Sequence, residues 1–237
     1  MLEVFAAFTR SLRDLTRAEV LWQALWPPLA ALLLWLAVGF AVWAHGLALM
    51  EGIVPRLPWS GWEWVAQWAA VFLLLALFAS LAYITAILLV AVFALPRLIN
   101  LVAAHDYPDL GRHGENAFWG SLGNTLGTGA IFVVGSMAML PLLLIPGALL
   151  VLPLLWSAWL NQRTFRFDAL AEHATRAELQ RLIMDNRRCF HIAGLGTAGV
   201  AQVPLLNLLA PAFAALVFVH LGLAALRRQR RQGGVEL

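Results

Sequence analysis

The sequence predicts an all-α integral membrane protein built as a single membrane domain. Its parts are an N-terminal amphipathic helix, two long transmembrane helices, two half-penetrating (re-entrant) helical hairpins and a small cytoplasmic head. Three observations lead there. Hydrophobic residues make up 62% of the chain and charged residues 12%, against roughly 25% charged in a soluble domain. The charge is missing from four runs, 20–50, 64–96, 116–162 and 189–226, each longer than the ~20 apolar residues that cross a bilayer. The last two runs are broken near their centres, by Pro141, Pro146 and Pro153 and by Pro204 and Pro211.

Residues 1–19 form the first element. Phe5, Phe8, Leu12 and Leu15 recur at helical spacing with Arg10, Arg13, Asp14 and Arg17 between them, the pattern of a helix lying in the membrane interface. Residues 22–44 read as the first transmembrane helix. Trp22 and Trp26 anchor one end and Trp43 the other, as aromatic residues do at interfaces. Pro27 and Pro28 fall near its start, where a missing amide donor costs least. Residues 65–95 read as the second transmembrane helix, preceded by Trp59, Trp62, Trp64 and Trp68. At that length it tilts or projects beyond the bilayer. No cleaved signal peptide is expected, because the first apolar run starts late and is too long for one.

The third and fourth runs read as hairpins, over 117–161 and 190–226. Cut at their prolines they leave Ala148–Asn161, Phe190–Val203 and Ala212–Leu226, roughly 21 Å each at 1.5 Å per residue. A hydrocarbon core about 30 Å thick is out of reach for such halves. Arginine placement agrees. All sixteen basic residues are arginine. Arg10, Arg13 and Arg17 precede the first helix, and only Arg56 follows it. Arg97 and Arg112 follow the second, six arginines lie in 162–189, and four more sit between Arg227 and Arg231. Hairpins that return to the side they entered put every arginine-rich segment, and both termini, in the cytoplasm. The tips would be Leu140–Gly147 and Val203–Pro211, which share a Pro-Leu-Leu start and a second proline, a weak internal repeat of the kind transporters carry.

The cytoplasmic segment 162–189 contains Thr-Arg-Ala-Glu at 175–178, a capping box that predicts a short helix. The terminal stretch from Arg230 reads as disordered. Cys189 is the single cysteine, which rules out an internal disulfide or a cysteine metal cluster and reads as a small buried apolar residue. Gly194–Gly199 spells G-x-G-x-x-G without a preceding strand, so it predicts close helix packing rather than a nucleotide site. Gly123 and Gly127 suggest a helix contact, and 113–116 a loop. His45, His191 and His220 lie near the ends of runs and read as interfacial.

Several stretches then resemble the CysZ-type sulfate permeases and the etoposide-induced family of membrane proteins. These are "IPGALLVLPLLWSAWL" followed by "FRFDAL", "VPLLNLLAP", and an N-terminal F-x3-L-x2-L-T-R pattern leading into Pro27. The resemblance implies two long membrane helices, two half-penetrating hairpins, an intracellular head, homo-oligomeric assembly and transport of sulfate across a bacterial inner membrane. Where those permeases carry an arginine pair this chain has Leu21 and Trp22.

Candidate site residues follow from the buried tips. A hairpin tip inside the bilayer carries backbone groups that lipid cannot satisfy, so it faces protein or a wet cavity, and the second arm starts there with free amides and the positive end of its dipole. Pro146, Gly147 and Pro211 shape these starts. Asn207 either satisfies the turn's own backbone or lines a path. Arg13 and Arg17 either bind lipid phosphates or gather anions. Arg163 and Arg166 read as surface charges or as partners of Asp168. No acidic group or arginine lies within the runs, which favours a passive route over proton coupling. Neither metal nor cofactor is expected, no catalytic motif is present, and no nucleic-acid motif accompanies the basic pI near 10.0. The sequence thus predicts a permease for a sulfate-like anion in contact with the lipid bilayer. The alternative is a non-transporting protein that organises lipids or partners.

Overall fold

A computed structural model describes residues 1–53, 63–114, 117–207 and 209–234. Arg56, Trp59, Trp62, Glu115 and Asn116 lie outside the described residues, as do the last three. The described residues are helical throughout, with no strand among them, and four helices are long and apolar enough to cross a membrane. The protein is a multi-pass membrane protein. Its contacts divide it into two compact units, Leu25–Ala94 and the remainder, Met1–Ala24 with Leu95–Leu237.

The unit Leu25–Ala94 contains most of α2 (Ala18–Ile53) and all of α3 (Glu63–Leu89). α2 starts earlier and ends later than expected, so Pro27 and Pro28 sit inside the helix rather than at its first turn. Two helix bonds are forfeited there, and strong helix formers on both sides carry the helix through. The two helices run antiparallel and meet through side chains. The Trp35 indole donates to Thr85 Oγ1 at 2.9 Å, Trp35 tilts against Phe78 with ring centroids 5.9 Å apart, and Gly46 faces Leu74. Their other faces are uncovered: Leu33, Phe40, Phe72 and Leu73 are all exposed, as lipid contact requires.

Past Leu89 the helix loosens into a π-turn, Val90–Ala94, before α4 (Leu95–Asp106). Pro96 has no amide to give the Val92 carbonyl, which accounts for the irregular turn. The predicted helix 65–95 therefore continues to Asp106. Its extension buries Leu95, Leu98, Ile99, Val102 and Ala103.

In the larger unit the central element is α10 (Ala210–Gly233), on which α1 (Leu2–Leu15), α4, α6 (Ala148–Ala171) and α8 (Arg187–Ala201) pack. Residues 212–223 of α10 are buried all round, the signature of a core helix. Phe218 stacks between Phe165 and Phe190, each 6.2 Å away. The second arm of the fourth run thus owes its apolar composition to the protein interior. It is also longer than the expected Ala212–Leu226, because the C-terminal stretch is helical to Gly233. Arg230, fully buried, donates to Glu178 at 2.9 Å and to the carbonyls of Gly111 and His173, which orders residues 230–234 of the stretch expected to be disordered. Gly234 closes the helix at φ +65° with its amide on Arg230 O.

α1 is amphipathic as expected, with two apolar sides. Val4, Ala7, Ser11 and Asp14 are buried, whereas Phe5 and Leu12 remain exposed. α7 (Arg176–Asp185) carries the expected capping box between Thr175 and Glu178. Gly194 of α8 allows its helix to touch α6, since a Cβ there would stand 2.5 Å from Ala158 O. Close packing is therefore the role of the glycine motif. Gly123 and Gly127 of α5 (Ala117–Met139) meet nothing within 4 Å. Cys189 is partly buried against the core. His191 is exposed on its own helix, but His220 is buried between helices, contrary to an interfacial reading.

Candidate functional site

The first tip joins α5 to α6. Pro141 removes an α-helical donor and the chain tightens into a 3₁₀ turn, Leu140–Leu144. Gly147 then adopts φ +83° as the N-cap of α6, a conformation that strains any side chain. Ala148 N–H closes the turn on Ile145 O at 3.0 Å. Leu144, Ile145, Leu149 and Leu150 are exposed around it, as are Pro146 and Gly147. α6 continues through Pro153 and past Asn161 to Ala171. The arm is longer than Ala148–Asn161, but its apolar part still ends at Leu160, where Asn161, Gln162 and Arg163 begin.

The second tip lies between α8 and α10. α8 is short, 15 residues, about 22 Å. It ends in a one-turn α9 (Pro204–Asn207), and Pro211 occupies the first turn of α10. Asn207 donates its backbone amide to Val203 O at 2.8 Å, and its side chain is exposed with no hydrogen bond among the described residues. At the N-terminal end Arg17 pairs with Asp14 at 3.7 Å, while Arg13 is exposed. Each tip packs against its own arms, and no described contact joins a tip residue to Arg13 or Arg17.

The structure does bring together a different set. α5 and α8 both pack on α6, and α6 and α8 run antiparallel, with Gly194 against Ala158 and Gln162 and with Asn161 Nδ2 3.5 Å from Thr197 Oγ1. That register places Arg187, the first residue of α8, beside the end of α6 that carries Arg163 and Arg166. Arg163 lies over the Trp159 ring at 5.5 Å, at the end of a stack formed by Phe132, Trp156 and Trp159. Arg166 donates to Gln162 Oε1 at 2.7 Å. Burial, then the neighbouring guanidinium groups of Arg163 and Arg187, pushes the Arg166 pKa down. A guanidinium stays charged regardless, so Arg166 is held in range of two like charges.

No carboxylate pairs with any of the three among the described residues. Arg17, Arg112, Arg227, Arg228, Arg230 and Arg231 all have one. The expected partner, Asp168, faces elsewhere: it accepts a hydrogen bond from Ser121 of α5, and burial raises its pKa to about 6. Two residues of helix turn a side chain about 200° away, which separates Asp168 from Arg166. The spacing of Trp159, Gln162, Arg163 and Arg166 on one helical face was available in the sequence. Arg187 was not, because only tertiary packing brings it there. Along α6, Arg163 and Arg166 are 16 and 19 residues past Gly147 of the first tip, roughly 24 to 29 Å.

A second polar group is closed. His220 Nε2 bonds Asp14 Oδ2 at 2.7 Å and stands 4.0 Å from Asp106. These are the described His and Asp side chains close enough together to hold a metal. Their direct hydrogen bond accounts for them without one.

The family described as sulfate transporter CysZ/etoposide-induced protein 2.4 matches residues 7–211, and the chain belongs to it. No curated protein matches the chain significantly.

Proposed function

We propose that this chain moves sulfate or a similar small oxyanion across a bacterial inner membrane, as a homo-oligomer with cytoplasmic termini. The observation that supports it most is the trio Arg163, Arg166 and Arg187, three half-buried or exposed cations held together without a carboxylate. Like charges kept in range repel, and the repulsion is stronger away from bulk water. A doubly charged oxyanion relieves it, and the planar guanidinium fork matches its oxygens two at a time.

On this reading both hairpins enter from the cytoplasmic side and turn back partway through the bilayer. The exposed leucines of the first tip meet lipid. The trio collects the anion at the open end of α6 and α8, and Pro146, Gly147, Asn207 and Pro211 shape the far end of the route. Arg13 is the freer of the two N-terminal arginines, since Arg17 is engaged by Asp14. Burial of Asp168 and its turn away from the trio leave the positive charge unneutralised.

The test is uptake of radiolabelled sulfate by proteoliposomes. Arg166→Gln is expected to lower flux about tenfold or more, the worth of one charge-assisted hydrogen bond, with an unchanged elution profile. Asn207→Leu is expected to lower flux as well. Wild-type flux no greater than that of empty vesicles removes the substrate. Full flux in Arg166→Gln moves the route away from the trio. Leu21 and the exposed Trp22 at the permeases' arginine positions favour a second reading, a non-transporting organising protein. A stoichiometric partner co-purifying with flux-inactive protein would select that one.

A further inference from the structure

Another set of cations lies on the seam between α1 and α10, separate from the trio and independent of any transport route. A cavity of about 280 Å³ opens there, and its lining includes Glu3, Arg10, Tyr107, His220, Arg227 and Arg228. Three guanidinium groups thus face one carboxylate. Glu3 is taken by Arg228. Arg227 is held from outside the cavity by Asp109, which also pairs with Arg231 at 3.7 Å. Asp14 and Asp106 address the far nitrogen of His220. Arg10 has no carboxylate among the described residues; its Nη1 donates to the Tyr107 hydroxyl at 3.4 Å.

We propose that this cavity binds a phosphate-type oxyanion, which joins Arg10 of α1 to Arg227 and Arg228 of α10 and so clamps the surface helix to the core helix. Tyr107 organises the site. Its hydroxyl donates to His220 O at 3.2 Å, which turns its lone pairs toward Arg10, and the Arg227 guanidinium lies 5.3 Å over its ring. Burial holds the phenol above its ordinary pKa, so it stays a neutral donor rather than a competing anion. The Arg10 guanidinium at the edge of the ring, and the Nη1 side of Arg227, whose Nε and Nη2 bind Asp109, are the donors left for tetrahedral oxygens.

The oxyanion has two sources, a free ion and a lipid headgroup. Helix geometry favours the free ion. At 100° per residue Arg10 points 140° from Phe5, 160° from Leu12 and 80° from Leu2, the exposed large apolar side chains of α1, so it lies off the side that suits the membrane.

The experiment uses full-length protein in zwitterionic detergent and reads its thermal unfolding against inorganic phosphate. A saturable rise in midpoint is expected. Arg10→Gln weakens the apparent affinity tenfold or more, Arg10→Lys weakens it less, and Arg181→Gln, at an exposed arginine outside the cavity lining, leaves it intact. The same variants in neutral nanodiscs, with and without phosphatidic acid, separate the sources. Arg10-dependent stabilisation by phosphatidic acid alone assigns the oxyanion to a headgroup; by phosphate alone, to solution. No saturable response to either, or responses indifferent to Arg10, overturns the site. Flux is not part of this readout, so its outcome stands apart from that of sulfate transport.

Discussion

α10 and the pair α2–α3 share one composition and serve two solvents. All three are long and apolar enough to cross a bilayer. Almost none of the most apolar stretch of α2, and none of that in the α3 run, is buried by protein, whereas most of α10 is. The polar residues follow the same division. Within α10, His220, Arg227 and Arg230 each meet a carboxylate. Within α2–α3, Trp35 with Thr85 and Ser80 with the Ala76 carbonyl make single neutral hydrogen bonds. Hydropathy measures the wish to leave water and does not say whether lipid or protein receives the side chain. Partnered charges along a helix do, because an ion inside a protein needs a counter-ion fixed by tertiary structure.

The comparison breaks most sharply at aromatic residues. Phe218 of α10 is fully buried between two rings, while Phe40 of α2 is 90% exposed. Phe218→Ala is expected to destabilise the protein by about 3–5 kcal/mol, from lost transfer energy and the cavity left behind. Phe40→Ala is expected to stay within about 0.5 kcal/mol, as substitutions outside packed interiors do. Denaturant titration in mixed micelles reads both. Equal losses would mean that Phe40 is covered by a partner, and the division between the two helices would fail.

A somewhat smaller effect concerns Asp168, buried charge without a counter-ion. Its carboxyl is raised to about 6 from an ordinary 3.8, so between those values the folded state holds a proton that the unfolded state has released. Stability is then greatest below about pH 4 and falls as pH rises to about 6, by up to about 3 kcal/mol at 1.36 kcal/mol per unit. Asp168→Asn is expected to flatten that slope and leave sulfate flux near wild type, since Asp168 does not face the arginine trio. A mutant whose stability keeps the wild-type slope would place the titration elsewhere.

Membrane residence, the amphipathic α1, the capping box at Thr175 and the helix breaks at the two proline pairs were legible because each rests on local spacing or on composition summed over a run. What failed was everything that depends on a distant partner. Arg163 and Arg166 were read as surface charges or as partners of the nearby Asp168, but the helix turns Asp168 toward Ser121 and packing brings Arg187, 21 residues past Arg166, beside them. His220 looked interfacial because it sits near the end of an apolar run, and it is held inside by Asp14, 206 residues away. Arg230 and Arg231 looked disordered because their carboxylates, Glu178 and Asp109, are far off in the chain. Continuation of α2 around Pro27 and of α6 around Pro153 shows a different limit. Proline removes a bond from a helix, but apolar surroundings make breaking the rest more expensive.

The smallest effect tests that last point where no charge is present. The Trp35 indole donates to Thr85 Oγ1, joining α2 to α3, whereas Ser80 on α3 bonds only the carbonyl of Ala76 in its own helix. Thr85→Val preserves shape and removes the acceptor, leaving an indole N–H in hydrocarbon. Interhelical hydrogen bonds of this kind average about 0.6 kcal/mol and reach about 1.7, so the loss is expected in that range. Ser80→Ala leaves its carbonyl in the helix ladder and is expected to change stability by less than about 0.5 kcal/mol. The pair of variants separates glue between helices from ornament on one. A Thr85→Val loss as large as that of Phe218→Ala would show α2 and α3 locked like a protein interior. A loss indistinguishable from that of Ser80→Ala would leave their association to side-chain packing at Phe78 and Gly46 alone.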